Sequence, residues 1–156
     1  MSRIVTSMVC AIAIALTVGC SVDPSDQRPG LGLSGEVHQQ PVEDWSFTSD
    51  ALEIFIETAT PYGIPHSVTA WVVMVGDDLY VAADDADKKR WVTNVARDPN
   101  IRLKIAGKVY EQKLVPITDE ATIASIDRGF ERKYEYEEEE GDDDMIVGYW
   151  RVVERD

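Results

Sequence analysis

Apolar and polar positions change register several times along the chain, and each register predicts an element. Leu52, Ile54 and Ile56 alternate with Glu53, Phe55 and Glu57, the period of a strand, before Pro61-Tyr62-Gly63 supplies a turn. Ser67 to Val75 is almost continuously apolar and rich in β-branched residues, which predicts one central strand buried on both faces. Gly76-Asp77-Asp78 turns the chain into a third strand at Leu79 to Ala82. The period then lengthens. Trp91, Val92, Val95 and Ala96 share one face of a helix over Lys88 to Arg97, with Asp84, Asp85 and Asp87 ahead of it and Pro99 to end it. Alternation returns at Ile101, Leu103 and Ile105, and after Gly107 it continues through Val109 to Val115. Ile123, Ile126, Phe130 and Tyr134 fall at helical spacing behind Thr118 or Asp119 as cap, and Met145 to Glu154 forms the last strand. The expected architecture is mainly β, of the α+β kind, with about six antiparallel strands and two helices.

Ahead of this pattern lie two segments with none. Arg3 precedes an uncharged apolar stretch from Ile4 to Gly19, too short to remain in a bilayer as a spanning helix and shaped like an export signal. From Ser21 to about Asp44 the chain holds Pro24, Pro29, Pro41, Gly30, Gly32 and Gly35 among polar residues, the composition of a flexible tether with a reach of about 25–30 Å. The domain map is therefore 1–19 signal peptide, 20–44 Cys20 and tether, and 45–156 a folded domain.

Composition narrows the function. The chain has 156 residues, 29 acidic against 15 basic, for a net charge of −14; removing the segment that carries Arg3 makes it −15. A phosphate backbone would be repelled by that field, which excludes nucleic acid as a partner. Eight of the ten residues from Glu135 to Asp144 are acidic, a run that must stay solvated and lacks the alternate spacing of a Ca²⁺ loop. Two histidines, His38 and His66, are too few for a His-rich metal centre; haem ligation by His66 stays open beside its reading as a solvated loop residue. Cys10 lies in the signal, so the exported chain would keep Cys20 alone and form no internal disulfide.

The signal ends in Leu16-Thr17-Val18-Gly19-Cys20, which resembles the lipobox of bacterial lipoproteins, although Leu16 stands one position further from the cysteine than that family places it. The resemblance implies acylation of Cys20, a membrane held through that lipid, and a place in the cell envelope facing the periplasm. Ser21 in the next position implies the outer membrane.

Gly63-Ile64-Pro65-His66-Ser67-Val68-Thr69-Ala70-Trp71-Val72-Val73, Asp77-Asp78-Leu79-Tyr80-Val81 and the run from Lys89 through Trp91, Asn94 and Pro99 to Arg102 are similar to segments of the FMN-binding split barrels, the pyridoxamine-phosphate oxidase-like superfamily. The run from Lys89 to Arg102 resembles in particular the deazaflavin-dependent nitroreductase branch and its uncharacterised relatives. The likeness spans 47–154 and implies a split barrel, a homodimer, and FMN or a deazaflavin held between subunits for reduction of a small quinone or nitro-type acceptor. On this likeness Lys88 and Lys89 would meet the cofactor phosphate, while Thr69, Trp71, Trp91 and Asn94 would contact the rest of it. Each residue also has a plainer reading. The lysines fit a solvated helix start beside three aspartates, the tryptophans fit core positions, Asn94 fits a solvent face, and Thr69 can satisfy itself on the sheet. Export in an unfolded state, without a twin-Arg signal, favours a second function: a cofactor-free binding or structural lipoprotein.

Overall fold

The two edges of the sheet meet at one residue. The computed structural model describes residues 21–25, 28–135 and 146–156. Among these, eight strands and two α-helices follow one another: β1 (Glu36–Val37), β2 (Ile54–Thr58), β3 (His66–Ala70), β4 (Val72–Val75), β5 (Asp78–Ala83), α1 (Arg90–Arg97), β6 (Asn100–Ile105), β7 (Lys108–Pro116), α2 (Glu120–Tyr134) and β8 (Gly148–Glu154). The sheet order is β3-β2-β6-β7-β8-β5-β4, with β1 added in parallel to β7 and the other ladders antiparallel. The outermost strands, β3 and β4, are consecutive in the chain with only Trp71 between them, so the sheet curls until its ends join. This is the antiparallel, mainly-β split barrel with two helices that the pattern and the resemblance pointed to.

The apolar run 67–75 is not one central strand. It breaks at Trp71; β3 pairs with β2 and β4 with β5, and among the described residues the outer edge of β3 is met only by a bridge from Gly30 to Ser67. Its apolar continuity has another origin. Val72 is fully buried in the barrel interior, while Val73 faces outward and is covered by Ile126 and Phe130 of α2. A closing strand roofed by a helix reads like a central strand because both faces are dry in either case.

Residues 21–25 and 28–44 do not trail free of the domain. Val22 N–H donates to the Gly32 carbonyl (3.0 Å), Leu31 N–H to the Val22 carbonyl (2.7 Å), and Gly30 and Ser67 exchange backbone hydrogen bonds at 2.8 and 3.1 Å. Leu33 is buried, its N–H donating to the Glu57 carboxylate at 2.6 Å. Asp23 accepts from Ser34 and from the Lys104 ammonium. A side chain on Gly30 would collide with the Val22 carbonyl and the Ser67 hydroxyl, so that position tolerates nothing larger than hydrogen. The segment is held by backbone and carboxylate hydrogen bonds with few apolar anchors, and hydrophobic periodicity does not register such attachment.

Inside the barrel Ile54, Ile56, Leu79, Val81, Leu103 and Leu114 are each 1% exposed or less. Aromatic pairs close its two ends. Trp45 meets Tyr110 edge-on at 5.7 Å near the start of β7, and Trp91 meets Trp150 at 5.1 Å where β7 ends, Trp150 lying opposite Pro116. Six residues of strand separate these levels, about 20 Å. Outside, α2 packs a second cluster of Ile126 and Phe130 on Val73 and Tyr80, capped at its start by Asp119, which accepts from Thr122 N–H at 2.8 Å. Gly129 lets the helix lie close to Val73. Cys20, the signal, most of the acidic run and Met145 lie outside the described residues.

Candidate functional site

Helix α1 crosses the end of the barrel where β2 stops and β3 begins, and its inner face is fastened there. Trp91 is 5% exposed against Trp150; Asn94, 4% exposed, donates from Nδ2 to the Thr58 hydroxyl at 3.0 Å; Arg97 donates to the Ala59 carbonyl. Thr58 donates in turn to the His66 carbonyl at 3.2 Å, linking α1, β2 and β3 in one chain of polar contacts. An asparagine in mid-helix, unfavourable by intrinsic propensity, is accounted for by this buried bond. Trp91 and Asn94 thus pack and hydrogen-bond within this end of the barrel.

The basic junction faces the other way. Asp85 adopts left-handed backbone (φ 48°), and a 3-10 turn over Ala86–Lys88 brings the Lys88 ammonium to 2.7 Å from the Asp85 carboxylate, both exposed. The pairing holds the Asp85 carboxyl below, and the Lys88 ammonium above, their ordinary values. Lys89 is extended and exposed immediately before α1. Arg90 comes near enough to His66 to act on it. Burial first, and the Arg90 charge second, lower the His66 pKa, and its Nδ1 is enclosed without a hydrogen-bond partner.

Thr69 and Trp71 stand at the opposite end of the same strand. Thr69 is half-buried on β3 opposite Phe55. Trp71, 47% exposed, stacks on Tyr134 with centroids 4.8 Å apart and planes 14° from parallel, and Tyr134 continues the stack to Phe130 at 5.8 Å. The Tyr134 hydroxyl accepts from Val72 N–H at 3.0 Å and donates to the Leu52 carbonyl at 2.8 Å. Lys133 donates to the Val72 and Thr48 carbonyls. Burial pulls its ammonium below the ordinary value, and Asp50 opposes that. From His66 to Trp71 the strand runs about 17 Å. The six sequence candidates therefore fall into two groups at opposite ends of β3, and one group is itself divided between an inner and an outer face.

One concavity escaped the sequence reading. Val42, Glu43, Trp45, Asp77, Asp78, Gln112 and Arg151 are among the residues that enclose a cleft of about 420 Å³ at the Trp45 end of the barrel. Tyr80 donates to Asp78 at 3.3 Å, Arg151 Nη1 lies 3.5 Å from the same carboxylate, and Arg151 Nε is enclosed and unpartnered. Its signal was present in β7, where Gln112 takes the inward phase between Tyr110 and Leu114 and is 6% exposed.

With this geometry in view, the likenesses to known proteins fall into place. Residues 47–150, two-thirds of the chain, match a family described as "Uncharacterized protein conserved in bacteria (DUF2255)". No curated protein matches the sequence. Among solved structures, the chain is similar to a Listeria innocua protein described as a pyridoxamine 5'-phosphate oxidase, at TM-score 0.54 and 11% identity over 69% of this chain and 87% of that one. A Bacteroides thetaiotaomicron protein described as a 5-nitroimidazole antibiotic resistance protein gives 0.53 and 16%, covering 83% and 84%. An F420 reductase gives 0.50 and 15%, covering 73% and 96%. At these identities the structures establish a shared split-barrel fold, the expected one. The chain belongs to the bacterial family DUF2255, whose matched region runs from just before β2 to the middle of β8.

Proposed function

We propose that this protein is a cell-envelope lipoprotein, attached through a lipid on Cys20, whose split barrel serves as a binding scaffold and does not carry a flavin at the basic junction. The observation that supports this reading most is the Lys88 to Asp85 ion pair at 2.7 Å. A phosphate clamp needs uncommitted positive charge, and here the nearest lysine is matched by one aspartate with Asp84 and Asp87 beside it. Trp91 and Asn94 are spent on the core. The cleft at the Trp45 end adds to the case: Glu43, Asp77, Asp78 and Glu154 outnumber Arg151 on its wall, an electrostatic preference for a cationic small molecule over a phosphate-bearing one. The test is the absorbance spectrum of the mature protein purified from cells. No band in the flavin region is expected; a stoichiometric flavin or deazaflavin band overturns the reading.

One observation favours a second reading, a flavin- or deazaflavin-dependent oxidoreductase of small quinone or nitro-type acceptors. Trp71, Tyr134 and Phe130 form an aromatic stack whose outer ring is open, at a site where Leu52 (60%) and Phe47 (44%) are also exposed. Solved structures of the same fold include proteins described as an F420 reductase and a pyridoxamine 5'-phosphate oxidase. On this reading two copies of the chain pair over that apolar surface, Trp71 and Thr69 hold the cofactor ring, and the cofactor supplies the hydride chemistry. Light scattering on the mature chain reads the pairing directly, a monomer removing it.

A further inference from the structure

The residue beside the proposed anchor is already fixed to the barrel. Ser21, next to Cys20, bridges Gly32, and from there the backbone passes through the Val22, Leu31 and Gly30 hydrogen bonds to Ser67 at the edge of β3. The Glu57 and Lys104 contacts hold the following residues. The spacer that composition offered between lipid and domain is consumed in binding the domain. A lipid on Cys20 would leave the barrel with almost no freedom to stand clear of the membrane.

The surface around that exit has a distinct character. Val22 is 51% exposed and Leu31 37%, and Leu31 adjoins Gly30, whose partner Ser67 lies three residues beyond Ile64. Ile64 (53%) and Tyr62 (60%) project from the β2–β3 turn. Arg28 is exposed in the same N-terminal segment, Arg90 lies near His66 at the first residue of β3, and Arg97 is bound to Ala59 at the end of β2. The acids there are largely engaged: Asp23 with Lys104, Glu57 with Arg102 at 2.8 Å, Asp85 with Lys88, and Asp98 with Asn100. Asp84 and Asp87 complete the charges before α1. The cleft towards the opposite end carries Glu43, Asp77 and Asp78 beside Arg151. The Trp45 and Trp91 levels lie about 20 Å apart along β7, more than two screening lengths at physiological salt.

Resting on the reading of Cys20 as lipidated, we propose that the barrel docks directly on the bilayer, with the β2–β3 turn, Val22, Arg28, Leu31 and the arginines flanking α1 against anionic headgroups and the acidic cleft directed away. Exposed Ile, Leu, Val and Tyr among arginines are the side chains that settle at a lipid interface. The contact is weak by itself, and the anchor makes it intramolecular, so that a modest surface affinity suffices to set the orientation. The partner surface is the membrane that holds the anchor, and the consequence is functional: the cleft is presented to the aqueous space.

The test uses the full-length protein, processed in cells and reconstituted into phosphatidylglycerol-containing vesicles with a headgroup-depth quencher lipid. A cysteine is introduced at one exposed turn or the other, Tyr62→Cys or Asp77→Cys, and carries a fluorophore, Cys20 being blocked by its acyl thioether. Docking predicts several-fold stronger quenching at position 62 than at 77, and loss of that difference when a long Gly-Ser spacer is inserted between Ser21 and Val22. Protein that floats with vesicles but is quenched equally at both positions overturns docking alone. Protein that fails to float overturns the lipid anchor, and docking with it.

Discussion

The side-chain amide of Asn94 donates to the hydroxyl of Thr58 across 36 positions of the chain, in a site where neither residue is more than 4% exposed. This bond ties α1 to the end of β2, and its removal leaves a buried donor without a partner. Thr58→Val is therefore expected to cost about 1–3 kcal/mol, and the double variant Thr58→Val with Asn94→Leu less than the sum of the singles, because both polar partners are gone. Denaturant unfolding measures both. A Thr58→Val chain as stable as the parent would mean that Asn94 is directed elsewhere.

The N-terminal segment makes an independent prediction. Glu57 accepts from Leu33 N–H and pairs with Arg102 while 9% exposed. Glu57→Ala strands the arginine and releases Leu33, at a cost of about 1–3 kcal/mol. In the parent, cleavage by chymotrypsin after Leu33, which is 4% exposed, is expected to track global unfolding, whereas Glu57→Ala and Gly30→Ala should expose that bond first. Immediate cleavage of the parent would restore a loose tether.

Acid should loosen the same region, with the sign fixed by two groups. Burial raises the Asp23 pKa, but the Lys104 and Ser34 hydrogen bonds outweigh it and hold the carboxyl below its ordinary value. That contribution is present above the unfolded pKa near 4 and is lost as pH falls below it. His66 is also lowered, by burial and then Arg90, so its contribution is present above about 6.5 and is lost as pH drops through that value. Unfolding midpoints measured between pH 8 and 5 should fall for the parent and fall less for His66→Phe. Identical pH profiles would show that His66 titrates as it does in the unfolded chain.

Much of this fold was legible in the pattern of the chain. Alternation at 101–105 and 109–115 placed β6 and β7, and the spacing of Ile126 and Phe130 placed α2, because burial on one face imposes a period on any element. Two features were not. The break at Trp71 is invisible because α2 dries the outer face of β4, erasing the alternation that would betray an edge. The attachment of residues 21–25 and 28–34 is invisible because it is made by backbone groups and two carboxylates. The surroundings of the candidate residues were the least legible. Trp91 and Asn94 lie on the inner face of α1, and the cleft at Gln112 and Arg151 joins residues far apart in sequence.

The lipid rests on Cys20. Cys20→Ala is expected to yield an unprocessed precursor that takes up no labelled fatty acid during growth, against strong label in the parent. Equal label in both would place the acyl chain elsewhere or nowhere.

The central claim, that the basic junction is not a cofactor clamp, is tested most directly by titrating the mature chain with FMN and following flavin fluorescence, beside the Lys88→Ala, Lys89→Ala double variant. The account predicts no saturable change for either protein up to about 100 μM, far above the Kd of a specific cofactor site, and an unaltered unfolding midpoint in the double variant. Saturable binding by the parent that weakens about ten-fold or more without the two lysines, as the loss of charge-assisted phosphate bonds requires, would contradict it.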